Sequence, residues 1–258
     1  MGKLLTEIGP REAKFIESQK VFFVATAPLS EDHHVSVSPK SSGMVVLDRH
    51  TVMYGDLTGS GAETAAHVLQ NGRMTLLFGN LESGPPKILR LAGKAEVILA
   101  ENAPAALVEK LPDEVKHSIG FRAIYKLRVT RISTSCGYTI PVMEFKKFRS
   151  SLTEFAEMTG KEGLFHYVTK RNSYSIDGLP SLAHLRKNAP EVVMAELDGL
   201  NIGKVVSDAK GWKEYLQHRR LLLAHQFSVP SWSTAGVVLV AFVAGAALGQ
   251  SLPKRWSR

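Results

Sequence analysis

The sequence predicts a mainly β, α+β domain: a small antiparallel barrel with helical additions, followed by one hydrophobic segment near the C-terminus. Three observations carry that expectation. About six short runs rich in β-branched and aromatic residues fall between positions 20 and 135. They are joined by turns and short helices rather than by regular crossover helices, which disfavours a doubly wound parallel sheet. After them the character changes, and residues 226–253 carry no charge at all.

Taken in order, Pro10 followed by REAKFIESQ places a proline at the first turn of a helix. Residues 21–27 (VFFVATA) form a strongly apolar run ended by Pro28, the pattern of a buried strand. EDHH at 31–34 is a polar turn, and residues 35–38 (VSVS) alternate as a strand up to Pro39. Residues 51–54 are a further strand, broken by Gly55-Asp56. Residues 62–70 make one short helix closed by Asn71-Gly72. Residues 73–78 and 88–99 are strands, the second interrupted at Gly93, and residues 104–111 read as a helix. Residues 123–133 (AIYKLRVTRIS) alternate as a last strand. Beyond them, residues 148–158, 162–170, 191–197 and 212–226 are helical or mixed. Trp212, Tyr215, Leu216 and Leu222 share one face of the last, with Lys213, Arg219 and Arg220 on its polar side. The organisation expected is a barrel domain over 1–147, a helical accessory and juxtamembrane region over 148–228, a membrane span over 229–252 and a basic tail over 253–258.

Composition narrows the function. At 258 residues, 44% hydrophobic and 22% charged, the chain is not disordered. Its one cysteine, Cys136, excludes a disulfide framework and a cysteine-rich zinc site, and the expectation is a buried thiol. The net charge of +8 is uneven: residues 1–185 hold 22 Lys and Arg against 19 Asp and Glu, and residues 186–258 hold ten against five. A nearly balanced body with a basic tail, and no RNA-binding or zinc-finger signature, argues against nucleic acid.

The uncharged tail has the length of a span. Residues 229–252 would form a helix of about 36 Å against a hydrocarbon layer of about 30 Å. Trp232 and Trp256 stand at its edges, and Lys254, Arg255 and Arg258 follow it. The expectation is a C-terminal anchor with the body in the cytosol; the alternative is a buried C-terminal helix. Ala241, Gly245 and Gly249 would form a ridge of small residues along it. The opening MGKLLT also fits a short myristoylation pattern at Gly2.

Motifs of hydrolases, P-loop proteins and dinucleotide-binding folds are absent. Asp32, His33 and His34 lack a third metal ligand at recognisable spacing and read as a solvated turn, so no metal site is expected. Cys136 has no identifiable histidine partner for nucleophilic chemistry. The segment YGDLTGSGAET at 54–64 lies between a strand and a helix. Its glycines, hydroxyls and helix N-terminus would make an anion cradle. The alternative is a Gly-rich connection whose Ser and Thr cap the helix.

FFVATAP, VSVSPKS, VMYGDLTGSGAETAAHVLQNGRMTLLFGN and PPKILRLAGKAEV, in that order, resemble the pyridoxamine 5′-phosphate oxidase-like family of FMN-binding split barrels. The subgroup that the chain resembles also carries TSCGYxxPxMEF, here at 134–145, and SIDGLP, here at 175–180. The resemblance covers about residues 10–185. It implies a six-stranded antiparallel split β-barrel with peripheral helices, acting as a homodimer with FMN in clefts between subunits. It implies cofactor contacts from Ser36, Ser38 and Lys40 on one strand, and from Thr58, Gly59, Ser60 and Thr64 in the glycine-rich segment. Arg73 and Arg90 on the next two strands are secondary candidates. No side-chain acid or base is assignable, as suits redox chemistry carried by a flavin acting on a small-molecule substrate. The chain departs from the true oxidase in reading Ala62-Glu63-Thr64 where that enzyme has a basic Ser-Arg-Lys motif. It also has Val35 in place of a strand-initial Arg, and lacks the C-terminal substrate-binding segment. These departures argue against vitamin B6 oxidation itself. The reading is an FMN-dependent oxidoreductase at a membrane, the alternative a non-catalytic flavin or planar-ligand module.

Overall fold

A computed structural model describes residues 2–41 and 43–185. Within them eight antiparallel strands form one curled sheet: β1 (Lys3–Leu5), β2 (Val21–Thr26), β3 (Ser36–Ser41), β4 (Met44–Asp48), β5 (Thr51–Leu57), β6 (Arg73–Gly79), β7 (Lys87–Leu99) and β8 (Phe121–Cys136). The order is β3-β2-β6-β7-β8-β5-β4, with β1 added along β8. Helices α1 (Pro10–Ser18), α2 (Glu63–Asn71), α3 (Ala105–Val108), α4 (Asp113–Lys116) and α5 (Ser151–Arg171) lie between and after the strands. An antiparallel, curled, half-barrel sheet with helices fits the split barrel expected. Eight described strands replace the expected six, because the short segments β1 and β4 also pair.

Alternation decides which face is buried. Phe22, Val24, Leu76, Phe78, Leu89, Leu91, Tyr54, Tyr125 and Leu127 point into one core, each almost fully removed from solvent. Fully burying one such side chain is worth about 1.5–3 kcal/mol. Inside it, Phe22 packs edge-on against Tyr54 at 5.3 Å, and Tyr54 stacks on Tyr125 at 5.1 Å. A second layer joins Met53 and Ile124 to Leu111 and Val115 on the opposite face of β5 and β8, so α4 and the turn before it cover that side.

Two bulges correct the sequence reading. Alternation along β8 does not run unbroken through 123–133. Ala92 pairs Arg131 and Gly93 pairs Val129, so Thr130 is the extra residue and the buried positions shift from Val129 to Ile132. Gly93 therefore does not interrupt β7. It lies where a Cβ would stand 2.0 Å from the Arg128 carbonyl oxygen, so only glycine lets β8 approach. The expected break at Gly55-Asp56 is also absent: β5 continues to Leu57, and its bulge falls on the partner strand. Likewise β3 passes through Pro39 to Ser41, because an edge strand tolerates a residue with no N–H to donate outward. The two helical segments expected at 148–158 and 162–170 are the two halves of α5, divided at Gly160, whose backbone is non-helical (φ 67°, ψ 170°). Cys136 ends β8 and is exposed, contrary to the expected buried thiol. Among the described residues no helix is long and apolar enough to cross a membrane, and the expected span at 229–252 lies outside them. The expected helices at 191–197 and 212–226 lie outside them as well.

Candidate functional site

The glycine-rich segment leaves β5 and enters α2, and its shape is fixed from beneath by side chains far away in sequence. The second bulge explains how. Asp56 pairs Ala123 and Leu57 pairs Phe121, which leaves Arg122 as the unpaired residue. A bulge re-aims its side chain, and here Arg122 turns onto the face of Asp56. Its Nε donates to Asp56 Oδ2 at 2.8 Å, and one terminal nitrogen lies 2.8 Å from the same oxygen. The guanidinium also donates to the Gly59 and Gly61 carbonyls, both at 3.0 Å, and to Asn172 Oδ1 at 2.9 Å. Asn172 Nδ2 donates to the same two carbonyls at 3.0 and 3.3 Å. Thr58 closes the base, its backbone N–H and its hydroxyl both donating to the Gly120 carbonyl at 2.7 and 3.0 Å.

The consequence is geometric. All peptides here are trans. A carbonyl held inward therefore sends the N–H of the same peptide to the opposite side. Clamping the Gly59 and Gly61 carbonyls turns the Ser60 and Ala62 amides outward, beside the exposed Ser60 hydroxyl and the half-buried Thr64. A Cβ built at Gly61 meets nothing within 4 Å, so the outward side is open.

Lys40 reaches the same network from β3. Its Nζ donates to Asp56 Oδ1 at 2.8 Å, and the side chain keeps 24% exposure. Burial alone would raise the Asp56 carboxyl, but Arg122 and Lys40 outweigh it and hold it below the ordinary carboxylate range. Lys40, Arg122 and Asp56 together carry one net positive charge, presented at the accessible Lys40. Ser36, Ser38 and Lys40 lie half-buried on the core-facing side of β3, opposite Thr26, Val24 and Phe22.

The other expected residues are placed elsewhere. Arg73 and Arg90 occupy the outer face of the sheet, since the buried Met74, Leu89 and Leu91 flank them. Arg73 donates to the Pro28 carbonyl at 2.6 Å and lines a shallow pocket of about 350 Å³ with Ser36, Val37 and Thr75. Arg90 donates to the Ser135 hydroxyl at 3.0 Å. The structure thus ties Lys40 and Gly59 into the Asp56–Arg122–Asn172 network, anchors Thr58 next to it on the Gly120 carbonyl, leaves Ser60 exposed on the segment, and places both arginines outside it.

The SIDGLP loop packs against the same segment. Ser181 Oγ donates to the Ala62 carbonyl at 2.7 Å, and the Glu63 carboxylate accepts the N–H groups of Ala62 and Ile176, each at 3.1 Å. Asp177 accepts the His34 backbone N–H at 2.8 Å and lies 2.8 Å from its ring Nδ1. The expected solvated turn at 31–34 is therefore tied to a loop 143 residues away. Burial would raise the Asp177 carboxyl, and the His34 hydrogen bonds pull it below its usual value. Nearby His67 is fully buried, with Nδ1 3.0 Å from the Thr26 hydroxyl, and burial lowers its basicity. Among the described residues no group of three or more His, Cys, Asp or Glu side chains is placed to hold a metal ion.

Asp56, Arg122 and Asn172 are the residues that sequence reasoning missed. The available signal was a lone Asp inside an apolar strand run (VMYGDL), which needs a buried cation, and an Arg at the start of another (FRAIY).

The model of the pyridoxamine 5′-phosphate oxidase family matches residues 8–136. A pyridoxamine 5′-phosphate oxidase family protein of Aspergillus flavus, ustO, is 35% identical over 193 residues, covering 68% of this chain and 76% of the relative. Among solved structures, HupZ of Group A Streptococcus is 24% identical, covering 48% of this chain and 91% of that chain, with a TM-score of 0.39. An FAD-binding protein of Mesorhizobium loti is 14% identical, covering 52% and 95%, also at 0.39. With its barrel matched by the family model and most of its length aligned to ustO, this chain belongs to the pyridoxamine 5′-phosphate oxidase family.

Proposed function

We propose that the protein binds FMN at the outward face of the 58–64 segment and acts as an FMN-dependent oxidoreductase. One observation carries this reading: the Arg122–Asn172 clamp on the Gly59 and Gly61 carbonyls, which turns backbone amides outward and is joined to Lys40 through Asp56. Oriented amides, hydroxyls and a net positive charge at a helix start form an anion cradle. In it, the Ser60 amide and hydroxyl, the Thr64 hydroxyl and Lys40 would hold the phosphate end, with Ser36 and Ser38 lining the approach from β3. Thr58 and Gly59 would shape the segment rather than contact the phosphate, since the Thr58 N–H and hydroxyl are engaged with Gly120 and the Gly59 carbonyl with Arg122 and Asn172.

When bound, the flavin supplies the redox chemistry, exchanging electrons with a small-molecule substrate. The chain's own residues bind and orient it. Membership of the family is in keeping with a flavin. A homodimer is part of the reading. Edge strand β3 exposes Val37, and Val35 just before the strand is exposed as well, an apolar pair flanking Ser36 that a second subunit would cover. So is a membrane anchor at 229–252, with residues 1–228 in the cytosol, supported by the uncharged length of that segment.

A second reading, a flavin module without catalysis, is favoured by the state of the charged groups. Lys40, Asp56, Arg122 and Glu63 are each already engaged by the protein itself. The two readings separate in one experiment on the full chain purified in mild detergent. A yellow protein whose visible flavin absorption is bleached anaerobically by NADH or NADPH supports the oxidoreductase. A yellow protein inert to both favours the module, and a colourless protein that does not take up added FMN defeats both.

A further inference from the structure

We propose that Glu63 is a specificity-determining residue of this site. Its carboxylate occupies the amide cradle at the start of α2 and opposes a ligand phosphate, so flavin is recognised mainly through its ring and ribityl chain. The inference rests on the flavin-binding reading above. It follows from what the cradle already holds. The clamp on Gly61 sends the Ala62 amide outward, and Glu63 Oε2 accepts it at 3.1 Å. Glu63 Oε1 accepts the Ile176 amide of the SIDGLP loop, also at 3.1 Å. Glu63 is moreover the first residue of α2, a nine-residue helix, so the carboxylate meets the positive end of the helix dipole. Two converging amides and a helix N-terminus are what would stabilise a phosphate oxygen. Here the protein supplies its own anion to them.

An incoming phosphate has two routes, and both weaken it. It can displace the carboxylate, which breaks the hydrogen bonds to Ala62 and Ile176 and loosens the tie between the two loops. Alternatively it can bind beside Glu63 against like-charge repulsion, which at about 4 Å and an effective dielectric constant of about 20–80 amounts to roughly tenfold in affinity or more. Lys40 offsets this only in part. With Arg122 it shares Asp56, and once Glu63 is included the four charges balance. Riboflavin, which has the same ring and ribityl chain without the phosphate, meets none of this opposition.

The test is calorimetric titration of the full chain with FMN and with riboflavin, for wild type, Glu63→Gln and Glu63→Ala. Wild type should bind the two ligands within about tenfold of each other, and each variant should tighten FMN by roughly tenfold while riboflavin moves by less than about threefold. The ratio is the decisive readout, because a merely structural role for Glu63 would shift both ligands together. A wild type that prefers FMN by more than about 100-fold, or variants that leave the ratio unchanged, would overturn the proposal. If the variants do not fold, the wild-type ratio decides alone. Failure of wild type to bind either ligand would instead overturn the flavin reading and this inference with it.

Discussion

Replacing Arg122 with methionine should cost the protein about 3–5 kcal/mol, the range for removing one partner of a buried ion pair. Methionine fills much of the space, so the loss is electrostatic rather than a cavity. Asp56, itself buried, would keep only Lys40, and the Gly59 and Gly61 carbonyls would keep only Asn172 Nδ2. Against a total stability of about 5–15 kcal/mol this is a large fraction. Arg122→Lys is the sharper perturbation because the charge stays. One ammonium cannot serve Asp56, Gly59, Gly61 and Asn172 together, so at least two charge-assisted hydrogen bonds are lost, about 1.5 kcal/mol each and about 3 kcal/mol in all. Pairing Arg122→Met with Asp56→Leu should recover much of the loss, since no uncompensated charge stays buried. Urea unfolding followed by circular dichroism reads all three proteins. An Arg122→Lys protein within about 0.5 kcal/mol of wild type would refute the clamp, because it would show that the fork geometry holds nothing.

Stability should fall on the acid side in two stages. Burial depresses the basicity of His67 and His184, so below about pH 6.5 the unfolded chain takes up protons that the folded one resists, and stability begins to drop. Asp56 and Asp177 are held below the ordinary value; their contribution is complete above about pH 3.9 and is lost as pH falls through their lower folded values. Unfolding midpoints measured across that range check both stages, and Asp56→Asn should flatten the second. Gly93→Ala puts a methyl 2.0 Å from the Arg128 carbonyl oxygen and should destabilise by about 2–3 kcal/mol, whereas Gly61→Ala meets open space and should stay within about 0.5 kcal/mol in the same assay. Lys40→Ala should weaken FMN binding by roughly tenfold or more and leave riboflavin unchanged, as read by quenching of flavin fluorescence.

Most of the sheet was legible in the sequence because its signal is local. VFFVATA, RMTLLF and the even spacing of Ala123, Tyr125, Leu127 and Val129 announce strands by period alone. What failed was local too, at the places where a long-range contact overrides the local rule. Gly55 and Asp56 look like a break, yet they continue β5 because Arg122 satisfies the buried carboxylate. Pro39 looks like a stop, yet β3 is an edge strand. His33-His34 is the exposed turn that it looks like, yet His34 also holds Asp177, and no pattern within a short window reveals a partner 143 residues away. For the same reason the glycine-rich segment was recognisable as a connection of interest, while the residues that give it its shape were not.

Those residues explain why the segment after α5 belongs with the barrel energetically, although it follows the barrel in sequence. A glycine-rich loop has high backbone entropy when unfolded, and ordering each residue costs about 1–2 kcal/mol. Something must hold it. The carbonyls of Gly59, Gly61 and Ala62 are bound by Arg122, Asn172 and Ser181, so two of the three anchors lie beyond residue 171. The SIDGLP turn is in turn built to present them: the Ser175 amide donates to the Leu179 carbonyl, Tyr174 bridges Pro180, and Gly178 takes the left-handed conformation (φ 74°) that closes the turn. A barrel truncated before α5 would retain Arg122 but lose Asn172 and Ser181. Its loop would then hang on Arg122 alone, and the cradle would lose two of the three groups that fix its carbonyls even with every strand in place.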